Sequence, residues 1–193
     1  MKLVKEDYPF SVQFDFEAGK FSPTEKTAVR RVSDLKMMFH DKPAVDLLIN
    51  SGDPIVYEIF YYGFNTSISD MALGTTRIQP GTIGGEYHMT KGHFHEAVDQ
   101  PEIYFCVKGE GYLLLETHDG EFQVEKWTRG TISHIPPMWA HRVVNTGKKP
   151  LVFVASYHLA AGHEYEPVIA KGFAKRVYEE NGKPVFRENP QRT

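Results

Sequence analysis

From residue 55 onward the sequence runs in short pieces of β-branched and aromatic residues separated by Gly, Pro and Asp, and in several of them apolar and polar positions alternate. In 102–108 the residues Glu102, Tyr104 and Cys106 alternate with Ile103, Phe105 and Val107, the two-residue period of a strand with two unlike faces. On this pattern strands are predicted at 55–62, 72–79, 86–90, 102–108, 112–117, 121–126, 131–135, 141–145 and 151–158. So many strands at close spacing make a sandwich or barrel. Gly109 and Gly111 separate one pair of runs and Asp119-Gly120 the next, so an antiparallel meander is the economical topology. Before residue 50 the texture differs, because Pro9, Pro23 and Pro43 divide the chain into shorter pieces. Ser33-Asp34 opens a predicted short helix over 33–39, and a second is predicted over 42–49. The organisation expected is one domain: an N-terminal arm at 1–50 packing on a barrel at 51–180, then a tail at 181–193. One more strand is expected near 174–178.

Composition narrows the partners. At 193 residues with 41% hydrophobic residues, the chain has the size and material for one packed core. The formal net charge is −3 and no run of five Lys or Arg occurs, so neither nucleic acid nor an anionic membrane surface is expected as a partner. The apolar stretch 151–157 is far short of the ~20 residues that span a bilayer, and residues 1–7 lack the apolar region of a leader, so a cytoplasmic protein is expected. Cys106 is the only cysteine, which excludes an internal disulfide and a multi-thiolate metal site. A metal here must be held by imidazole and carboxylate.

Such a set is visible. His93 and His95 stand at i and i+2, on one face of an extended segment. Glu102 opens the strand on which Tyr104 shares its face, and His141 follows the proline-bounded turn at Pro136-Pro137. Three imidazoles and one carboxylate suit Fe, Mn, Ni, Co or Zn and leave positions open on an octahedral ion. Glu96 and Asp99 are rival ligands; Glu102 is preferred for its strand context and its spacing to Gly109. His40, His88, His118 and His134 are read as structural or merely exposed.

These residues resemble the two motifs of the cupin superfamily. Gly130, Pro136, His141 and Asn145 match the second motif, with Met138 where it has glycine; His93, His95, Glu102 and Gly109 match the first. The first motif departs at Tyr87, where glycine is usual, and in the six residues between His95 and Glu102. Thr90-Lys-Gly-His93-Phe-His95, Val56-Tyr57-Glu58, Tyr104, Pro136-Pro-Met-Trp-Ala-His141-Arg, Tyr157, Ala161-Gly-His163-Glu-Tyr165 and Lys171-Gly-Phe together resemble the cupin-type glucose-6-phosphate isomerases of archaea and some bacteria. The resemblance covers roughly 12–181. It implies an all-β cupin barrel, a double-stranded β-helix or jelly roll, with an N-terminal arm and a few short helices. It further implies a metal-dependent aldose–ketose isomerase acting on a sugar phosphate in glycolysis and gluconeogenesis. One divalent metal per subunit would sit on His93, His95, Glu102 and His141, Fe²⁺ first and Mn²⁺, Ni²⁺, Co²⁺ or Zn²⁺ as alternatives. Glu102, Tyr57, Tyr104, His163 and Tyr165 would carry the chemistry and orient the sugar, while Thr76, Thr90, Gly92 and Tyr157 would bind the phosphate. For Thr76 an ordinary strand threonine is the competing reading. A homodimer is implied as well, with Phe10, Phe14, Phe16 and Phe21 of the arm crossing to a partner. The competing functions are a cupin dioxygenase acting on a small acid or thiol, and a non-catalytic sugar-binding cupin.

Overall fold

The computed structural model describes residues 11–64 and 71–192. Phe10, the segment 1–7 read for a leader, and Thr193 lie outside the described residues. The described residues begin with a small hairpin, β1 (Gln13–Asp15) and β2 (Lys20–Ser22), followed by β3 (Lys26–Arg31) and helix α1 (Lys42–Asn50). Then come β4 (Ile55–Phe64), β5 (Met71–Ile78), β6 (Thr82–Ile83), β7 (Glu86–Tyr87), β8 (Glu102–Lys108) and β9 (Glu110–Thr117). After these follow β10 (Phe122–Thr128), β11 (Ile132–Ile135), β12 (Trp139–Asn145) and β13 (Leu151–His158), and the chain closes with α2 (Glu166–Lys171), β14 (Lys175–Glu180) and β15 (Lys183–Glu188).

Two antiparallel layers carry the core. The larger runs β11-β8-β13-β5-β4-β3, so β3, from the segment read as an arm, is its edge strand. The smaller is β10-β9-β12, widened by bridges from Met89 to Val144 and from His93 to His141. Aromatic rings meet between the layers: Trp127 of β10 lies 5.8 Å from Tyr104 of β8 and 5.4 Å from Phe153 of β13. Burial of such rings, with Leu113, Val143 and Leu151 around them, is the main stabilising term. A third sheet, β15-β14-β7-β6, covers the outside of the smaller layer.

The all-β architecture is the one expected, but the meander is not. β8 and β9 follow each other without pairing, because the chain leaves the larger sheet at Lys108 and enters the smaller one at Glu110. Gly109 makes that corner at φ +88°, and a Cβ there would come 2.8 Å from the Leu151 Cα and from the Pro150 oxygen. The layers share no ladder among the described residues, so the jelly roll is a two-sheet sandwich rather than a closed barrel.

Local departures have local causes. The helix predicted over 33–39 is only a 3₁₀ turn, Ser33–Leu35, because its backbone bonds close three residues on, Lys36 N–H to the Ser33 carbonyl and Met38 N–H to the Leu35 carbonyl. The strand predicted over 86–90 shortens to Glu86–Tyr87. The tail beyond residue 181 contains β15, paired with β14, and α2 was not predicted. By contrast α1 forms where expected, capped by Asp41, whose carboxylate accepts the Ala44 N–H at 3.0 Å.

Candidate metal centre and substrate pocket

Strand alternation turns Glu102 and Tyr104 of β8 inward and leaves Ile103 and Phe105 on the outer face. From the opposite layer His141 of β12 points to the same place, and the 93–141 bridge brings His93 alongside it. The donor atoms of His93, His95, Glu102 and His141 all lie within 4.8 Å of one another. Glu96 and Asp99, the rival ligands, are exposed and stand outside this cluster.

The hydrogen bonds behind the rings fix which nitrogens face inward. His95 Nδ1 is 2.8 Å from the Gln100 carbonyl oxygen and His141 Nδ1 is 3.2 Å from that of Trp139. A carbonyl only accepts, so each Nδ1 carries the proton and each Nε2 turns its lone pair to the centre. His141 Nε2 lies 3.0 Å from Glu102 Oε2, yet it is not aligned with that oxygen as a hydrogen bond and is a buried nitrogen with no partner. An orphaned buried imidazole nitrogen beside a buried carboxylate is costly in a polar cluster and ordinary in a metal site. His95 Nε2 is 3.2 Å from the same oxygen. Burial pushes the His95 ring down, but Glu102 and the Gln100 carbonyl outweigh it, so it protonates more readily than a free imidazole. A cation and that proton compete for one position. Burial would raise the Glu102 carboxyl, but its contacts with His141 and His95 prevail and keep it ionised below its usual value. His93 is held well below the ordinary imidazole value by burial and by the neighbouring His141, His163 and His95. Three imidazoles whose ring nitrogens converge beside an ionised carboxylate therefore fit a divalent transition metal.

The cluster floors an open cavity between the two sheets. Tyr57, Tyr104, Tyr157, His163 and Tyr165 line its walls, and Thr76, Thr90 and Gly92 line it as well. Every residue picked from the sequence for the site is on this lining except His95, which joins the cluster from behind. His163 stacks on Tyr165 with centroids 5.8 Å apart and sits 4.4 Å from the His93 ring. Burial keeps His163 below the ordinary imidazole value and raises Tyr57 to about 12, so the first is neutral and the second a phenol near neutral pH. Tyr104, Tyr157 and Tyr165 are pushed up by burial too.

Sequence reasoning passed over Lys91 and Tyr61, which also line the cavity. The Lys91 ammonium lies 4.3 Å from the centre of the Tyr165 ring, and the Lys91 N–H donates to the Tyr57 hydroxyl at 3.4 Å. Its position inside Thr90-Lys91-Gly92-His93 was the available signal. Of the histidines set aside as structural or merely exposed, His88 is buried and His40, His118 and His134 are exposed. His88 bonds the Gln79 carbonyl at 3.1 Å and His118 stacks on Phe94 at 3.8 Å.

Comparison with known proteins gives the family. The family model for glucose-6-phosphate isomerase matches residues 29–192. The glucose-6-phosphate isomerase of Thermococcus litoralis is 44% identical over 188 residues, 97% of this chain and 98% of the relative. That of Pyrococcus furiosus is 41% identical over 183 residues, 95% of this chain and 96% of the relative. A solved oxalate decarboxylase of Bacillus subtilis aligns with 59% of this chain and 28% of its own at 20% identity, with a TM-score of 0.45, too low to bear on the argument. On the family match and on relatives alike from end to end, the chain belongs to the glucose-6-phosphate isomerase family of enzymes.

Proposed function

We propose that the chain interconverts glucose 6-phosphate and fructose 6-phosphate in the cavity between its two sheets, with one divalent metal, Fe²⁺ first among the candidates, on His93, His95, Glu102 and His141. The observation that carries the reading is the meeting of a four-donor cluster and a tyrosine-lined cavity on the inner face of β8. When bound, the cation supplies polarisation of the sugar's carbonyl oxygen.

The chain's own groups do the rest. The reaction moves a hydrogen between C1 and C2 and a proton between O1 and O2. Glu102 is ionised and lines the cavity, so it is the base within reach. In one route it takes the carbon-bound hydrogen as a proton and returns it to the neighbouring carbon; in the other it relays only the proton between the oxygens while hydride shifts directly. Tyr57, Tyr104 and Tyr165 remain protonated and can donate to the sugar oxygens, and neutral His163 can accept from one. Phe153 and Ala155 give the lining an apolar stretch beside these polar groups. The phosphate end is read at Thr76, Thr90, Gly92 and Tyr157, with Lys91 as the cation facing it. The Thr90 hydroxyl already accepts the Val143 N–H at 3.0 Å, which leaves its own O–H to donate.

Two further parts of the reading are a cytoplasmic location and a homodimer. Among the described residues no helix is long and apolar enough to cross a membrane, which says nothing of strands. The dimer is supported by Phe14, Phe16 and Phe21, which pack edge to face on each other with Phe16 62% exposed. Light scattering at micromolar concentration should give twice the mass of the chain, and a monomer would remove the dimer.

The test of function is an anaerobic assay of fructose 6-phosphate turnover coupled to glucose-6-phosphate dehydrogenase, on protein stripped with a chelator and reloaded with Fe²⁺, Mn²⁺, Ni²⁺ or Co²⁺. Turnover should vanish on stripping and return on loading. Turnover without O₂ separates the isomerase from a dioxygenase, and no turnover with any metal would leave a sugar-binding protein.

A further inference from the structure

Behind the phosphate end lies a buried cation that the chemistry above does not use. Arg142 follows the ligand His141 on β12 and points away from the cavity, into the space under β14 and the 38–41 segment. Its side chain is 4% exposed, and among the described residues it touches no carboxylate. Arg176, next to it, takes both oxygens of the buried Glu86 at 2.9 and 3.1 Å, and the buried Glu116 is taken by Arg192. Arg142 stacks on the Phe173 ring at 4.7 Å, and its Nε has no partner. An uncompensated buried charge is costly and calls for a reason.

Its one strong hydrogen bond supplies the reason. Arg142 Nη2 donates to the Lys91 carbonyl oxygen at 2.7 Å. The 91–92 peptide is trans, and across a trans peptide the C=O and the following N–H point in opposite directions. Drawing the Lys91 oxygen back toward Arg142 therefore turns the Gly92 N–H forward, toward the cavity that both residues line. That N–H makes no hydrogen bond among the described residues. Gly92 allows the arrangement because its φ is +74° and because any Cβ would come 2.9 Å from Phe173 and 3.1 Å from the Arg142 Cβ. The brace is tied down from behind: Arg142 Nη2 reaches the Met38 sulfur at 3.4 Å, Arg176 bonds the Met38 carbonyl at 2.8 Å, and Asn189 holds Arg176 at 2.9 Å.

We propose that Arg142 is a positioning residue for the phosphate of the substrate: it orients the Lys91–Gly92 peptide so that its amide faces the anion, and it puts an unpaired positive charge directly behind that amide. The inference rests on the phosphate end of the proposed site. It makes the affinity for the anion, and not the chemistry at the metal, the quantity that Arg142 controls.

The experiment measures three things on metal-loaded wild type, Arg142→Met and Arg142→Lys: metal content, KM and kcat for fructose 6-phosphate, and the dissociation constant of inorganic phosphate by calorimetry. Arg142→Met should keep its metal and lose about tenfold or more in phosphate affinity, with KM rising in proportion and kcat changing less than about threefold, since a hydrogen bond from a charged group is at stake. Arg142→Lys should lie between, because it keeps charge and loses the planar fork. Unchanged phosphate affinity in a folded, metal-loaded Arg142→Met protein would overturn the proposal; should that variant not fold, unchanged affinity in Arg142→Lys would do the same. So would a loss confined to kcat. Phosphate binding needs no turnover. An Arg142-dependent phosphate site in a protein without isomerase activity would therefore sink the reaction while leaving this inference standing.

Discussion

The two ends of the cavity are built in different ways. At the metal end four side chains from β8, β12 and the 93–95 segment converge, and their donor atoms are fixed by carbonyls behind them. At the other end a backbone amide, hydroxyls and one lysine gather from β5, β13 and the 90–92 loop, and the strongest constraint comes from an arginine outside the cavity. The first end is held by two ligands on paired strands, Glu102 and His141, and by the bridge that ties His93 to His141. The second is rigid only as far as one peptide is braced. Reaction rate should therefore depend on the first end and substrate affinity on the second.

Removing a ligand should have the largest effect. His141→Ala takes away a donor that is 1% exposed, so metal content itself should fall, and kcat with it by ~10²-fold or more; excess metal should recover part. An unchanged metal content, measured by elemental analysis, would remove His141 from the ligand set. At the opposite end Lys91→Met should raise KM by ~3–10-fold and leave kcat nearly alone, because it takes a cation from the wall and nothing from the floor. If kcat fell instead, the division between the two ends would be wrong.

Smaller effects test the frame that holds both. Met138 has φ +71° and is 62% exposed, at the position where the motif has glycine. Met138→Gly should raise stability by less than about 1 kcal/mol, since relief of a left-handed residue, ~1–2 kcal/mol, outweighs the ~0.5–1 kcal/mol that glycine costs through the unfolded chain. Denaturant melts with a constant slope would show it, and a loss of stability would mean that the Met138 side chain contributes contacts of its own. His88 is buried and its pKa lies below the free imidazole value, chiefly through burial. The unfolded chain therefore takes up that proton first as pH falls, so stability is full above pH ~6.5 and is lost as pH drops through the lower folded value. His88→Gln should flatten that acid slope, and an identical slope in both proteins would exclude His88 as a source of it.

How much of this was legible follows the same division. His93, His95, Glu102 and His141 could be picked out because ligation demands particular residue types, and strand alternation put Glu102 and Tyr104 on one face. The passage of the chain from one sheet to the other at Gly109 could not, because a glycine between two strands looks the same whether they pair or part. Register decides that, and register depends on β13, some forty residues on, lying between β5 and β8. Likewise α2 is six residues long and shows no helical period. The 33–39 segment did look helical, but its backbone bonds close at the third residue rather than the fourth, a choice that residue type does not mark. Lys91 and Arg142 carry no sign of their work in residue type. One becomes visible through the cavity it lines, the other through a peptide orientation that only a folded backbone reveals.

The central claim is that the floor of the cavity both holds a metal and moves the proton, through Glu102. Glu102→Gln keeps the shape and one oxygen donor while removing charge and basicity, so metal content and kcat should be measured together on that variant. The account predicts a protein that retains much of its metal while kcat falls by ~10²–10⁴-fold, the usual worth of a positioned base. Near wild-type turnover in a metal-loaded Glu102→Gln protein would contradict it, leaving Glu102 a ligand only and moving the proton transfer to His163.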